Sequence, residues 1–171
     1  MPRRSILTAR QRAALFDLPT DEATILYHYT LADDDLEFIR TRRHARNRLG
    51  FALQLCAFRY PGRLLASGEV IPEAVSSFIA AQLGEEMDEL CRYAATDVTR
   101  RRHLVDLRQI YDFKMFSGHR ARELKDWLSG EAEVATSNHD LARRFVEECR
   151  RTQTILPGVS VVERLCADAL V

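Results

Sequence analysis

The sequence predicts an all-α protein of eight or nine short helices. Apolar residues recur at helical spacing along most of the chain, capping and breaking signals separate these stretches, and the alternation typical of strands is almost absent. The 171 residues, 46% of them hydrophobic, are enough to bury a substantial core. The loop RLLASGEVIP is the candidate boundary between two subdomains. We therefore predict two helical subdomains, residues 1–66 and residues 67–171.

The first three predicted helices begin at recognisable signals. Thr8 with Gln11 forms a capping box that opens the first helix, and Thr20 or Asp21 caps the second. Three consecutive aspartates, residues 33–35, lie in the first turn of the third helix, where the positive end of the helix dipole favours negative charge. We prefer this explanation to a metal site built from the three carboxylates.

The fourth predicted helix, over residues 44–60, is apolar on nearly all sides from Leu49 onwards. At about 100° per residue, Leu49 and Leu53 lie on one side of the helix, whereas Phe51 and Leu55 lie on another. A helix without a polar face has to be covered on all sides. We therefore expect this helix to be central and buried.

Further helices follow the boundary loop. Pro72 suits the first turn of a helix that Gly84 ends, and Ser160 with Glu163 forms a capping box at the start of the last helix. Between them, helices are predicted near residues 86–94, 97–114, 119–130 and 138–152.

Five arginines stand at the start of the fourth helix. Arg46 and Arg48 lie in its opening turn, where the positive end of the dipole disfavours cations. In one interpretation they pair with acids such as residues 33–35. In the interpretation that we favour, a phosphate at the helix N-terminus accepts the backbone N–H groups and the guanidinium groups, as in helix-turn-helix docking on a duplex. The candidate phosphate or base contacts are Arg40, Arg42, Arg43, His44, Arg46, Asn47 and Arg48.

Asn47 has two interpretations that the sequence separates only slightly. An asparagine can pair with N6 and N7 of adenine, which would make Asn47 a base-reading residue. Asparagine is also a good N-cap, and Asn47 lies near the start of the fourth helix. We favour base reading.

A second basic segment is TRRRHLVDLRQIYDF, residues 99–113. Leu104, Leu107 and Tyr111 lie on an inner helix face, while Arg101 and Arg108, seven residues apart, share an outer face. An ordinary solvated face is the alternative to an anion-binding surface. The candidate contacts are Arg100, Arg101, Arg102, His103 and Arg108.

The charge of the chain is zero overall but unevenly distributed. Residues 1–66 contain eleven arginines against seven acidic residues, whereas residues 67–171 contain fourteen basic residues against eighteen acidic ones. A local basic surface can therefore exist within a neutral protein.

The sequence offers no catalytic or metal-binding motif. Its five histidines and four cysteines lack metal-ligand spacing, and it has neither a nucleophile elbow nor a phosphate-cradling glycine-rich loop. No stretch resembles a membrane span or a signal peptide. We expect a cytoplasmic, non-enzymatic chain without cofactors or membrane partner. We expect its cysteines, Cys56, Cys91, Cys149 and Cys166, to be buried free thiols.

Four segments resemble, in the same order, the amino-terminal region of Tn3-family transposases. They are MPRRSILTARQRAALFDLP, NRLGFALQLCAFRYPGRLL, RRRHLVDLRQIYDF and TILPGVSVVERL. The likeness covers nearly the whole chain and is far more specific than any single motif. It implies a helical region that binds the terminal inverted repeats of a transposon as double-stranded DNA during replicative transposition, in the bacterial nucleoid.

The resemblance also implies which parts of a transposase the chain holds. It assigns DNA contact to residues 40–48 and residues 100–103, with Arg108 on the same helix face as Arg101. The DDE catalytic residues, the RNase H-like domain and a divalent metal such as Mg²⁺ would belong to sequence that is absent here. We therefore expect a truncated transposase or an excised, non-catalytic domain.

A different class of function is a helical protein-interaction or dimerisation module. In that alternative, the acidic half of the chain packs against other transposase domains or a second subunit. Self-association with the rest of the transposase would follow. An exposed apolar patch around the last helix would favour it.

Overall fold

The structure, a computed structural model, describes residues 5–89 and 97–171. These residues form nine α-helices and one short 3₁₀ helix, and their β-type pairing is limited to an isolated bridge between Lys114 and Thr154. The predicted all-α fold is confirmed. In chain order the helices are α1 (Ala9–Phe16), α2 (Glu22–Tyr29), α3 (Asp33–Arg40), α4 (Ala45–Arg59), α5 (Glu73–Leu83), α6 (Asp97–Tyr111), α7 (Gly118–Glu131), α8 (Asn138–Arg151) and α9 (Val159–Ala169).

The signals around α5 are mostly as predicted. Gly84 ends the helix in the left-handed conformation, with φ of 66°, which glycine adopts without steric cost. Pro72, however, is the N-cap residue rather than a member of the first turn. Of the helix predicted near residues 86–94, Met87–Glu89 forms a 3₁₀ helix, and residues 90–94 lie outside the described residues.

The chain folds into two compact units whose division differs from the predicted boundary after residue 66. The first helix packs with the last three, because α1 contacts α8, whereas α4 packs with α5 and α6. Chain order is therefore a poor guide to the units. Unit 1 contains the described residues of Met1–Asp17, Pro61–Arg63 and Phe113–Val171, and unit 2 contains those of Leu18–Tyr60 and Leu64–Asp112.

The core of unit 1 lies between α1 and helices α7 to α9. Leu15 and Phe16, at the end of α1, are buried in one cluster with Phe145 and Val146 of α8 and Val162 of α9. Helix α8 buries one stripe of side chains at helical spacing, which explains why its opposite face can be fully charged. That stripe consists of Leu141, Ala142, Phe145, Val146 and Cys149.

The capping box predicted for Ser160 and Glu163 is wrong. The N-cap of α9 is Gly158, and it makes no side-chain cap. Glu163 instead accepts a hydrogen bond of 3.1 Å from the amide of Leu7 and forms an ion pair of 3.1 Å with Arg12. The Glu163 carboxylate thus connects α9 to Leu7 and Arg12, which lie before and within α1. Local spacing does not indicate such a long-range contact.

Helix α4 is the centre of unit 2. Every residue from 49 to 58 is buried, and α2, α3, α5 and α6 all contact this helix. The predicted central helix is therefore confirmed. Truncating a fully packed leucine such as Leu53, which is 2% exposed, leaves a cavity and costs about 2–5 kcal/mol.

A buried carboxylate connects three helices of unit 2. Asp35, in the first turn of α3 as predicted, accepts two hydrogen bonds of 2.8 Å from Arg59 of α4 and one of 2.9 Å from the Tyr111 hydroxyl of α6. Burial opposes its ionisation, but these bonds and one from the Ala32 amide outweigh burial and hold the pKa of Asp35 below its ordinary value. Asp35 therefore helps to fix α3 and α6 against α4.

Two further predictions concern the cysteines and the membrane. Cys56, Cys149 and Cys166 are buried free thiols as predicted, and burial raises the pKa of each to about 12. Cys91 lies outside the described residues. Across residues 5–89 and 97–171, none of the helices combines the length and the apolar character that crossing a bilayer requires.

Candidate nucleic-acid interface

The first basic group, which we call the α4 cluster, surrounds the turn at residues 41–44 between α3 and α4. His44 is the N-cap of α4, with extended backbone and no side-chain cap. The first helical hydrogen bonds run from the amides of Asn47 and Arg48 to the His44 carbonyl, so the amides before them have no partner within the helix. The α4 cluster comprises Arg40, Arg42, Arg43, His44, Arg46, Asn47 and Arg48.

Asn47 does not cap α4. It is the third residue of the helix, and the N-cap position belongs to His44. The N-cap interpretation of Asn47 is therefore wrong. Its side chain is half-buried, which restricts how far it can reach outward, and base reading by Asn47 stays a prediction.

The Arg42 side chain makes its contacts within unit 2. Its Nη1 atom lies 2.5 Å from Oδ2 of Asp106 on α6, and its guanidinium carbon lies 4.3 Å from the centroid of the Phe51 ring. With 19% of its side chain exposed, Arg42 is more a structural anchor than a free cation.

Arg48 is also paired within unit 2. Its Nη2 atom lies 2.5 Å from Oε1 of Glu85, and its Nη1 atom donates to the carbonyl oxygen of Arg42 at 3.0 Å. Arg48 therefore has an acidic partner, as one interpretation of the sequence held. That partner is Glu85 rather than one of residues 33–35.

The remaining arginines of the α4 cluster have no ionic partner among residues 5–89 and 97–171. Arg40, Arg43 and Arg46 are exposed, and none of them forms an ion pair with a residue that the structure describes. His44 is exposed as well. These side chains lie beside the unpaired amides of the first turn of α4, an arrangement suited to an anion.

The second basic group, the α6 cluster, divides in the same way into paired and free side chains. Arg100 forms an ion pair of 3.0 Å with Asp97 and donates to the carbonyl oxygen of Leu65 at 2.9 Å. Arg101, Arg102 and Arg108 are exposed and have no ion pair within the described residues. The α6 cluster comprises Arg100, Arg101, Arg102, His103 and Arg108.

His103 belongs to the interior and not to the surface. It is 2% exposed, and its ring packs edge-on against Phe51 at a centroid distance of 5.3 Å. Burial and the positive charge of Arg42 lower the pKa of His103 to about 4. A neutral, buried imidazole cannot neutralise a phosphate, so His103 leaves the set of candidate contacts. Its spacing of four residues from buried Leu107 was the signal for an inner-face position.

The Arg42–Asp106 ion pair brings the two clusters together. Arg42 adjoins the free cations of the α4 cluster, and Asp106 lies one helical turn after Arg102 of the α6 cluster. The sequence assigned these clusters to different subdomains, whereas the structure places both in unit 2. Nothing in local spacing indicates this pairing.

Sequence reasoning missed two apolar side chains on the outer face of α6. Val98 is 71% exposed and Val105 is 50% exposed. Their separation of seven residues, the same as that of Arg101 and Arg108, was the available signal. In the described ranges no group of acidic, histidine and cysteine side chains could hold a metal ion.

The sequence of the chain matches a protein family and several transposases. The family described as "Domain of unknown function (DUF4158)" matches residues 6–169. The transposase for transposon Tn3926 of Escherichia coli is 39% identical over 99% of this chain, and that for transposon Tn501 of Pseudomonas aeruginosa is 38% identical over the same share. The transposase for transposon Tn1546 of Enterococcus faecium is 34% identical over 97% of the chain.

The match covers a small part of each relative. The chain spans 17% of the length of these three transposases. The predicted resemblance to the amino-terminal region of Tn3-family transposases is confirmed by these identities. With residues 6–169 matched from end to end, the chain belongs to the DUF4158 family.

Proposed function

We propose that unit 2 binds double-stranded DNA and that it recognises the terminal inverted repeats of a transposon as part of a Tn3-family transposase in replicative transposition. One observation carries the proposal. Within the described residues, unit 2 exposes six arginines that no acidic side chain neutralises. Duplex phosphates are the natural partners of such a surface. The six are Arg40, Arg43, Arg46, Arg101, Arg102 and Arg108.

The arrangement of these arginines supports a duplex as the ligand. They come from two separate helical segments that Arg42 and Asp106 join across 2.5 Å. The α4 cluster adds the free amides of a helix N-terminus to its guanidinium groups, and such amides bind phosphate. Contacts from two segments of one unit suit a ligand that presents phosphates at regular intervals.

The relatives support the same class of ligand. They are named as transposases, and a transposase acts on DNA. In our proposal this chain recognises the DNA end, whereas the catalytic chemistry and its divalent metal belong to other parts of the transposase. Its place of action would be the nucleoid.

Helix α9 gives little support to the alternative of a protein-interaction module, which an exposed apolar patch around this helix would favour. Val162, Leu165 and Cys166 of this helix are buried within the core of unit 1. The apolar face of α9 is therefore covered by residues of its own unit. Leu170, the residue after the helix, is 45% exposed. Self-association stays an outcome of the binding test.

The proposal is tested by a mobility-shift titration of the chain against terminal-repeat duplex and scrambled duplex at two or more salt concentrations. We expect tighter binding to the repeat and a linear fall of log affinity with log salt concentration. Failure to bind either duplex, with a folded chain by circular dichroism, would contradict the proposal. A dimer seen by sedimentation in that case would favour the interaction module.

Single variants locate the interface. Arg46→Ala and Arg101→Ala should each weaken binding and reduce the magnitude of the salt slope by about 1, the value for one lost phosphate contact. Arg122→Ala is the matched control, because Arg122 is an exposed arginine of unit 1. An Arg101→Ala slope equal to that of Arg122→Ala would remove the α6 cluster from the interface.

A further inference from the structure

We propose that the outer face of α6 enters the major groove of the duplex and reads base edges there, so that α6, rather than α4, determines which sequence is recognised. This inference rests on the proposed function and deepens it. The reading side chains are Val98, Val105 and Gln109, between the arginines of the α6 cluster.

The exposed side chains of α6 form one continuous face. At 3.6 residues per turn, Val98, Val105 and Gln109 lie between Arg102 on one edge and two arginines on the other, within an arc of about 120°. The two arginines on the far edge are Arg101 and Arg108. All six side chains of this face are exposed.

This pattern fits a groove with phosphates on both sides. Arginines on the two edges of the face can reach the two backbones, while the middle of the face meets the base edges. Valine methyl groups suit the C5-methyl group of thymine, and a glutamine can pair with N6 and N7 of adenine. The face therefore carries the side-chain types that direct readout requires.

The two aspartates beside this face are paired with arginines, so they do not oppose the approach of DNA phosphates. Asp97 is paired with Arg100 at 3.0 Å, and Asp106 is paired with Arg42 at 2.5 Å, beyond the Arg102 edge. That second pair also places the α4 cluster beside the Arg102 edge. Its free cations can then follow one backbone while α6 lies in the groove.

Helix α4 is a poor candidate for the same role. Residues 49–58 are all buried, so no more than the first turn of α4 can approach a duplex. Helix α6 has 15 residues, which corresponds to about 22 Å, and the side chains of its outer face are exposed from Val98 to Gln109. The major groove, about 12 Å wide, admits an α-helix.

The inner face of α6 holds the helix in place. Leu107 and His103 are buried, and the Tyr111 hydroxyl donates to Asp35 at 2.9 Å. A rigidly supported helix with a free outer face can present side chains to bases at fixed positions.

The test compares specific with non-specific binding for variants of the reading face. Gln109→Ala should weaken binding to the terminal repeat roughly 5-fold to 150-fold and leave binding to scrambled duplex nearly unchanged. Val105→Ala should lose affinity for the repeat in the same selective way. Val134→Ala, at a 60% exposed valine of unit 1, is the matched control and should behave as the parent does.

A substituted duplex tests the valine contacts independently. Replacing thymine by uracil in the repeat removes the C5-methyl groups. This replacement should weaken binding of the parent and of Val134→Ala, and it should have a smaller further effect on Val105→Ala, which keeps Val98. Arg102→Ala, in contrast, should weaken binding to the repeat and to scrambled duplex equally.

The outcomes separate this inference from the proposed function. If the parent binds the repeat selectively while Gln109→Ala and Val105→Ala keep its specificity ratio, the reading role of α6 is overturned and DNA binding stands. If the parent binds neither duplex, the proposed function fails and the inference fails with it. Binding of an acidic protein segment instead of DNA to this face would also overturn it.

Discussion

Helices α6 and α8 are both rich in arginine, but they use this residue in opposite ways. In α8 of unit 1, Arg143 and Arg144 pair with Asp140 at 2.7 and 3.1 Å, and Arg151 pairs with Glu148 at 2.6 Å. Hydrogen bonds from the Thr136 amide and from both neighbouring arginines hold the pKa of Asp140 well below its ordinary value. Arg143, Arg144 and Arg151 are thus paired with acids of their own helix.

In α6 of unit 2, the acids one turn away from Arg101 and Arg102 pair with other arginines. Asp106, one turn after Arg102, is paired with Arg42 of the α4 cluster. Asp97, one turn before Arg101, is paired with Arg100. Asp112, four residues after Arg108, lies beyond the helix end in the left-handed conformation, with φ of 57°.

The comparison shows that the number of arginines does not identify an interface. What distinguishes α6 from α8 is whether the acids one turn away pair with these arginines or with other arginines, as Asp106 does with Arg42 and Asp97 with Arg100. A charge count over either half of the sequence cannot show this difference, because it adds paired and free cations together.

The largest expected effect is on the stability of unit 2, which supports the free arginines. Leu53→Ala should lower the free energy of unfolding by about 2–5 kcal/mol, because it opens a cavity within the fully buried helix α4. Chemical denaturation measures the change. Leu26→Ala, at a 57% exposed leucine of the same unit, is the control. Equal stability of the two variants would contradict the central position of α4.

An intermediate effect concerns the pH dependence of unit 2. Burial, followed by the charge of Arg42, lowers the pKa of His103 from 6.5 to about 4. Between these values the unfolded chain binds a proton that the folded chain does not. His103 should therefore make the free energy of unfolding fall with decreasing pH in this window, and its own contribution is at most about 1.4 kcal/mol per pH unit.

The His103→Gln variant isolates this contribution. It removes the proton-binding group, so its unfolding free energy should fall less steeply between pH about 7 and about 4 than that of the parent. Urea unfolding at several pH values provides the measurement. His119→Gln, at an exposed histidine of unit 1, should retain the parent's slope, and identical slopes for all three proteins would show that His103 titrates normally.

The smallest expected effect is at α8. Arg143→Ala removes a half-buried arginine whose partners are Asp140 and Glu147 on the same helix. Surface pairs of this kind contribute little to stability, so the melting temperature should change only slightly. Affinity for terminal-repeat duplex should match that of the parent. A marked loss of affinity would show that α8, like α6, contributes to DNA binding, and it would contradict the proposed difference between the two helices.

Much of the fold could be predicted because it depends on local signals. The Thr8–Gln11 capping box, the Asp21 cap and the buried helix α4 all follow from residues within one or two helical turns of each other. The outer face of α6 followed from the seven-residue spacing of Arg101 and Arg108.

The candidate site could be predicted only in part, because its pairing depends on contacts between distant residues. Arg42 with Asp106 and Arg48 with Glu85 are separated by 64 and 37 residues, and no local pattern indicates such pairs. The same limitation explains why Glu163 was expected to cap α9 when it binds Arg12. It also explains why the two clusters were assigned to separate subdomains.

The most direct test measures salt slopes for two variants with equal charge change. One replaces four free arginines of unit 2 by alanine, and the other replaces four arginines of unit 1, mostly paired. Our account predicts that the unit 2 variant loses about 4 from the magnitude of its slope on terminal-repeat duplex, whereas the unit 1 variant keeps the parent's slope. Equal slopes for the two variants would contradict a defined interface on unit 2. The exchanged residues are Arg43, Arg46, Arg101 and Arg102 in unit 2, and Arg122, Arg143, Arg144 and Arg151 in unit 1.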